Sequence, residues 1–397
     1  MTTLAHRSQG RGLLIRLGIV AIALAAPGAF GTVYGAKPMR SVPVRQVSGP
    51  WDSGHVQGIA VDQRGGFIYY SFTNLLVKVD FDGRLVGTLL GWSGHLGDLD
   101  FNPGDGKVYG SLEYKRTDGF YIAVIDVARL NSVGMDARRA DLFRTVYLPE
   151  VAKDYSADLD QDGKVEYDPS SPDHRYGCSG IDGVAFGPEF GRVGGKQYLT
   201  VAYGIYGNDQ RTDNDNQVLL QYDVSDWGRY ARPLLEAAPH RSGPANPHGK
   251  YFVRTGNTRF GVQNLSYDTT LRRWFLGVYQ GHKPNWPNYL LFAVDAQATP
   301  KMGVLTGVAD PSGSGLERGL FLPLAGGGMR DPKTGVKGWM QRANVGFQPL
   351  GDGRYYIASN TGAKGFQSAS LQLMRWTGET TKPLAPAFER QSDSPTG

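Results

Sequence analysis

The chain is poor in several features that would have pointed to familiar kinds of protein. It has one cysteine, Cys178, so no disulfide can form within it, and stability has to come from a packed core. It has no cluster of Lys and Arg. The 42 basic residues are scattered among 37 acidic ones, and the net charge of +5 permits an anionic ligand without pointing to nucleic acid. Long hydrophobic runs are scarce as well. The apolar stretch at 17–26 is short of the roughly 20 residues that span a bilayer. There is no G-x-S-x-G elbow, no G-x-x-x-x-G-K phosphate loop and no H-E-x-x-H zinc helix. Serine-hydrolase, nucleotide-binding and zinc-protease chemistry therefore have no local signature here.

The N-terminus does carry an address. Arg7, Arg11 and Arg16 precede the apolar stretch, and small residues follow it, with cleavage expected after 29–31 or 33–35. Residues 1–35 read as an export signal, with an uncleaved anchor as the alternative. No lipoprotein cysteine follows the stretch. A secreted or periplasmic protein is expected, monomeric and without stable membrane insertion once the signal is removed.

Glycine is abundant, at 55 residues, and so are aromatics, with 21 Tyr, 17 Phe and 7 Trp. Tight turns need the first, and half-buried pleated surfaces favour the second. They are arranged in a repeat. A run with a glycine or polar centre is followed by an aromatic-rich run and then by an apolar run that often ends in Asp. The copies are 57–62, 67–72, 75–81; 96–101, 107–114, 120–127; 181–186, 197–203, 217–224; 262–268, 273–279, 289–295; and 345–350, 354–359, 370–376. Repeats of this length, built from short alternating strands, predict an all-β fold, a β-propeller with one blade per copy.

Fourth strands are expected at 84–90, at 142–148, at 250–254 (with 234–237 competing) and at 319–324. Nothing after Trp376 reads as a strand, because Pro383 and Pro386 interrupt it. The alternating segment 41–47 is therefore expected to complete the last blade from the other end of the chain and to close the ring. This gives five four-stranded blades over 41–380 and a loose tail at 381–397. A sixth blade follows if 300–325 hides one. The turns between first and second strands are short and look structural. The long loops at 203–216, 280–288, 149–180 and 326–343 emerge on the opposite face, where function is expected.

Three groups of residues stand out. The inner strands begin with His55 and Gln57, His95 and Asp98, Asp182, Gln263 and Asn264, and Asn344. Polar residues on innermost strands have to bind one another, water or a ligand. A water-filled channel is the plain reading. The chemical one makes His55 or His95 a general base, with Asp98 or Asp182 orienting it or acting as acid. Tyr203 or Tyr206 could join a lyase mechanism. The second group is the loop chemistry of Arg116, Tyr206, Arg211, Arg259, His282 and Trp286, with Asn264 and Asn344 on the strands. Aromatic faces with guanidinium and amide groups suit a glycan or a carboxylated ligand. Cys178 is expected to be a buried thiol rather than a nucleophile.

The third group is Asp158, Asp160, Asp162, the carbonyl of Lys164, and Glu166. Carboxylates at alternate positions around Gly163 make an oxygen cage of the kind Ca²⁺ takes, with a structural role. The loop resembles an EF-hand loop over its first six positions, but Pro169 stands where the closing Glu would be. It is more similar to the calcium loops in the propellers of integrin α-subunits, with Glu166 at the ninth position. The chain as a whole resembles the calcium-bearing propeller superfamily of five or six blades that includes lactonases and similar hydrolases. The inner-strand and rim residues point to a hydrolase or lyase acting on a polar, glycan-like or anionic substrate at the propeller mouth. A non-catalytic ligand- or polymer-binding propeller is the alternative.

Overall fold

The computed structural model describes residues 41–139, 141–363 and 365–387. The export signal expected at 1–35 and the end of the tail at 388–397 lie outside the described residues. Five sheets of mostly antiparallel strands ring a common axis, and their first strands touch one another there. Blade 1 runs outward through Val56–Asp62, Phe67–Phe72, Leu75–Asp80 and Leu85–Leu90. Blade 2 runs through His95–Asn102, Lys107–Tyr114, Gly119–Ile125 and Phe143–Tyr147. Blade 3 runs through Cys178–Pro188, Gln197–Ile205, Asn216–Tyr222 and Gly249–Arg254. Blade 4 has Arg259–Asp268, Arg273–Tyr279 and Leu291–Asp295. Blade 5 has Phe347–Pro349, Arg354–Ala363 and Phe366–Trp376, and the N-terminal strand Arg45–Trp51 pairs with the last of these.

Adjacent blades are glued by aromatic pairs. Tyr69 of blade 1 stacks on Phe101 of blade 2 at 6.2 Å, and Tyr109 of blade 2 meets Phe186 of blade 3 edge-on at 4.9 Å. Phe275 of blade 4 meets Phe347 of blade 5 at 5.5 Å. Such pairs contribute about 0.5–1.5 kcal/mol each beyond the area they bury. Side chains also reach from blade to blade: Ser71 Oγ donates to Gly97 O, and Ser111 Oγ to Asp182 O, both at 2.6 Å.

Three expectations are corrected. The segment expected to complete blade 4 belongs to blade 3. Leu316–Phe321 runs parallel to Gly249–Arg254 and forms a hairpin with Lys301–Ala309, so there is no sixth blade at 300–325 either. Phe252 and Phe321 hold this seam at 6.0 Å, and Gly319 lets the Phe252 ring approach, since a Cβ there would fall 2.5 Å from it. Among the described residues, the outer edge of blade 4 meets only the single bridges Val294–Leu324 and Leu291–Trp339. The tail is not loose from 381. Leu384–Pro386 pairs with the end of Phe366–Trp376, and Pro386 is tolerated because it lies on an outer strand. Finally, Asp98 and Asn264 do not line an open mouth.

Those two residues form the axle. The inner strands of blades 1 to 4 each carry a register shift at the same height, at Val56/Gly58, Leu96/Leu99, Ile181/Val184 and Val262/Asn264. Such irregularities take backbone groups out of the ladder. Asp98 collects them. Its Oδ2 accepts from Val184 N at 3.1 Å and Leu265 N at 2.9 Å, and its Oδ1 accepts from Asn264 Nδ2 at 2.8 Å. Asn264 Nδ2 also donates to Gln57 O at 3.0 Å, so blades 1 to 4 meet at one carboxylate. Burial pushes the Asp98 carboxyl well above its usual range, and the backbone N–H groups of Leu265, Val184 and Leu99 oppose that shift. Glycine makes the room: a Cβ on Gly58 would lie 2.6 Å from Asp98 Cα, and one on Gly346 would lie 2.6 Å from Ala358 Cβ.

Asp98→Ala leaves the buried N–H groups of Val184 and Leu265 unpaired and is expected to remove about 3 kcal/mol of stability. Gly58→Ala, which overpacks the same point, is expected to remove about 1–3 kcal/mol. Urea unfolding reads both, and unchanged midpoints would show that the blades are joined elsewhere.

Candidate functional site

One level above the axle, on the face of the long loops, the inner strands present Gln57, Gly97, Asp182 and Gln263. His95 opens the inner strand of blade 2, and Glu113 stands opposite it on the second strand. A Cβ on Gly97 would collide with Ser111 Oγ at 2.4 Å and lie 3.1 Å from Asp182 Oδ1, so glycine leaves this space to the carboxylate.

His95 Nδ1 is 3.3 Å from Glu113 Oε1 and 3.8 Å from Asp182 Oδ1. Glu113 also takes Lys115 Nζ at 3.0 Å and Ile181 N at 3.1 Å, so both its oxygens are occupied. Asp182 Oδ2 accepts from Gln263 Nε2 at 2.8 Å. His95 keeps 29% of its side chain exposed and Lys115 43%, whereas Glu113 is buried. The result is a carboxylate-braced imidazole and an open ammonium over a buried floor. Nε2 of His95 has no protein partner among the described residues.

The charges set one another. Burial pulls the His95 pKa down, but the Glu113 hydrogen bond and the charges of Asp182 and Glu113 outweigh it and raise the pKa. Burial pushes Glu113 up, yet Lys115 and His95 hold it below the usual carboxylate range. Asp182 is pushed up to about 7, first by burial and then by the charge of Glu113. An imidazole with a raised pKa 3.8 Å from a carboxyl that titrates at about 7 is a pair suited to proton transfer.

The site differs from the expected one. Of the four candidate catalytic residues, His95 and Asp182 come together. Asp98 lies below them in the axle, and His55 Nδ1 contacts only the neighbouring carbonyl of Val56 at 2.8 Å. Glu113 was not anticipated. Its signal is an acidic residue at a buried position of the strand Lys107–Tyr114.

The expected ligand-binding residues divide. Arg116, Arg259 and His282 are exposed, and the Arg259 guanidinium lies 5.7 Å from the Phe260 ring centroid. Trp286 is half-buried with Arg254 at 5.3 Å, and Asn344 is half-buried beside the Tyr279 hydroxyl. Tyr206 packs against His174 at 5.1 Å. Arg211 is not available to a ligand. It is buried and bonds Asp213 together with the carbonyls of Ser171, Asp173 and His174, which pins the loop of 149–180 to blade 3. Asn264 is in the axle. Cys178 is buried, and burial drives its thiol pKa upward, which keeps it unreactive.

In the acidic loop, one oxygen each from Asp158, Asp160 and Asp162 comes within 4.8 Å of the others. Asp158 Oδ2 accepts from Gly163 N at 2.9 Å, and Asp162 Oδ1 from Lys164 N at 2.8 Å. The Glu166 side chain stands outside that set, although the nearby Asp162 charge, after burial, raises its pKa. Buried Asp173, not anticipated, braces the loop from within by accepting from Leu159 N at 2.9 Å and Glu166 N at 3.0 Å.

The molecule is thus a five-bladed β-propeller with one elaborated mouth. No protein-family model matches the chain, and no curated protein does. Among solved structures it is similar to hydrazine synthase of Kuenenia stuttgartiensis, at 11% identity and a TM-score of 0.34, over 77% of this chain and 64% of that one. It is also similar to a chain of a mitotic checkpoint complex, at 9% identity and a TM-score of 0.34, over 93% and 88%. A third is the Pan2 WD40 domain of Neurospora crassa, at 7% identity and a TM-score of 0.29, over 80% and 63%. None of these carries a function to this chain.

Replacing Glu113 by Gln is expected to lower the pKa of His95 and that of Asp182, since the carboxylate raises both. NMR titration of the imidazole and carboxyl resonances measures this. A His95 midpoint that stays in place would separate Glu113 from the imidazole.

Proposed function

We propose that this protein is an exported propeller enzyme that acts on a polar, carboxylated, glycan-like substrate at its loop-rich mouth. The reading rests on the contact of His95, braced by Glu113, with an Asp182 that titrates near neutrality. Lys115 supplies a cation at the same spot. Between hydrolase and lyase, the lyase is favoured. A hydrolase needs two free carboxylates flanking the bond, and Glu113 is committed to Lys115, His95 and Ile181. In β-elimination, neutral His95 takes the proton next to the substrate carboxylate, and Lys115 neutralises that carboxylate. The electron pair forms the carbon–carbon double bond and expels the glycosidic oxygen, which Asp182 protonates.

The acidic loop is proposed to hold Ca²⁺ through Asp158, Asp160 and Asp162, with the carbonyl of Lys164 and a movement of Glu166 completing the set. Its role there is structural, fastening the 149–180 excursion.

Turnover of acidic polysaccharides, followed by the ultraviolet absorbance of the new double bond, tests the lyase. His95→Ala is expected to lower the rate by about 10²–10⁴. The base must be unprotonated and the acid protonated. Activity therefore needs His95 deprotonated and Asp182, which titrates at about 7, protonated, giving a bell-shaped pH profile. Full rate in both His95→Ala and Asp182→Asn would sink the mechanism. Substrate binding without turnover, unchanged by His95→Ala, would favour a binding propeller.

For the loop, chelation is expected to lower the melting temperature of the wild type, and Asp160→Asn is expected to abolish that sensitivity. A melting temperature indifferent to Ca²⁺ and chelator would remove the metal.

A further inference from the structure

We infer that the loop joining the second and third strands of blade 4 closes over an alkali-metal cation held by Asn257 and Asn288. The site is separate from the acidic loop and from the His95 cluster. Asn257 is 1% exposed, and its Oδ1 is buried without a hydrogen-bond partner; Oδ1 of Asn288 is in the same condition. Both oxygens face Gly281. A methyl group built on Gly281 would lie 2.9 Å from Asn257 Oδ1, 2.9 Å from Asn288 Oδ1 and 2.2 Å from Asn257 O. Three acceptors therefore converge on one spot beside a residue that has no side chain to fill it.

The two amides cannot be turned to relieve this. Asn257 Nδ2 donates to Asp209 Oδ1 at 3.1 Å, and Asn288 Nδ2 donates to Lys283 O at 3.2 Å and Trp286 O at 3.0 Å. Turning either amide would set oxygen against oxygen. Asn257 O accepts no hydrogen bond among the described residues. A water has two hydrogens and would leave one of three acceptors facing a lone pair. A cation satisfies all three at once. The donor set is neutral, amide and carbonyl oxygen only, with the Asp209 carboxylate one hydrogen bond away. Ca²⁺ sites are built around carboxylates, whereas carbonyl-type oxygens suit K⁺ or Na⁺. Such an ion would tie the loop that carries His282 and Trp286 to the strand linker at Asn257, fixing one wall of the mouth.

Crystals of the wild-type protein with Rb⁺ as the only monovalent metal are expected to show an anomalous peak in contact with the three oxygens. In solution, RbCl or KCl should raise the melting temperature by roughly 2 °C or more over choline chloride at equal ionic strength. Gly281→Ala, whose methyl takes the spot, should lose that difference. No peak, together with equal melting temperatures in all salts, would overturn the proposal, as would a peak obtained with Ca²⁺ and not with Rb⁺. If Gly281→Ala does not fold, the Rb⁺ peak decides alone.

Discussion

The arrangement depends on one buried carboxylate. Four inner strands break register at the same height, and a break in the centre of a ring would leave backbone donors facing a dry axis. Asp98 turns that liability into a joint by accepting from blades 3 and 4, and through Asn264 it is linked to blade 1. Gly58, Gly183 and Gly346 at the same height keep the axis narrow enough for a single side chain to reach across it. The channel is therefore plugged rather than open, and the polar residues above it sit on a floor.

That floor gives the mouth its chemistry. A water-filled channel would screen His95, Glu113, Lys115 and Asp182 from one another, and their titrations would drift back toward ordinary values. Over this buried base, Glu113 raises both the imidazole and the second carboxyl. Lys115 keeps Glu113 ionised while it does so. The loops around the cluster are fixed by charges that do not touch it. Arg211 is enclosed by the carbonyls of residues 171–174, and Lys250 bonds Glu150 while also contacting Asp154 beside Tyr203. Arg211 and Lys250 are fasteners, and their partners set them apart from the exposed Arg116 and Arg259.

The regular part of the fold was legible. Blades 1 to 3 and the strand that pairs with blade 5 follow from alternation and turn residues, which are local. What failed was partner choice. The segment 316–321 has the pattern of a strand, but nothing in that pattern says whether it will lie beside Leu291–Asp295 or Gly249–Arg254; the fit of Phe321 and Gly319 against Phe252 decided it. In the same way, Asp98 and Asp182 look alike as aspartates on inner strands. Both fall within the register breaks of their strands, but Asp98 is filled by the backbone N–H groups of Val184 and Leu265 and became structural, whereas Asp182 has the part-exposed His95 beside it.

By itself the sequence determined the repeat, its five copies, the pairing of the first strand with the last blade and the position of the acidic loop, because strand periodicity and turn chemistry are properties of short segments. Only the tertiary structure decided which polar residues are fasteners and which are free to react. That choice depends on burial and on partners distant in sequence, such as Val184 and Leu265 for Asp98 or Asp182 for His95, and no local pattern encodes them.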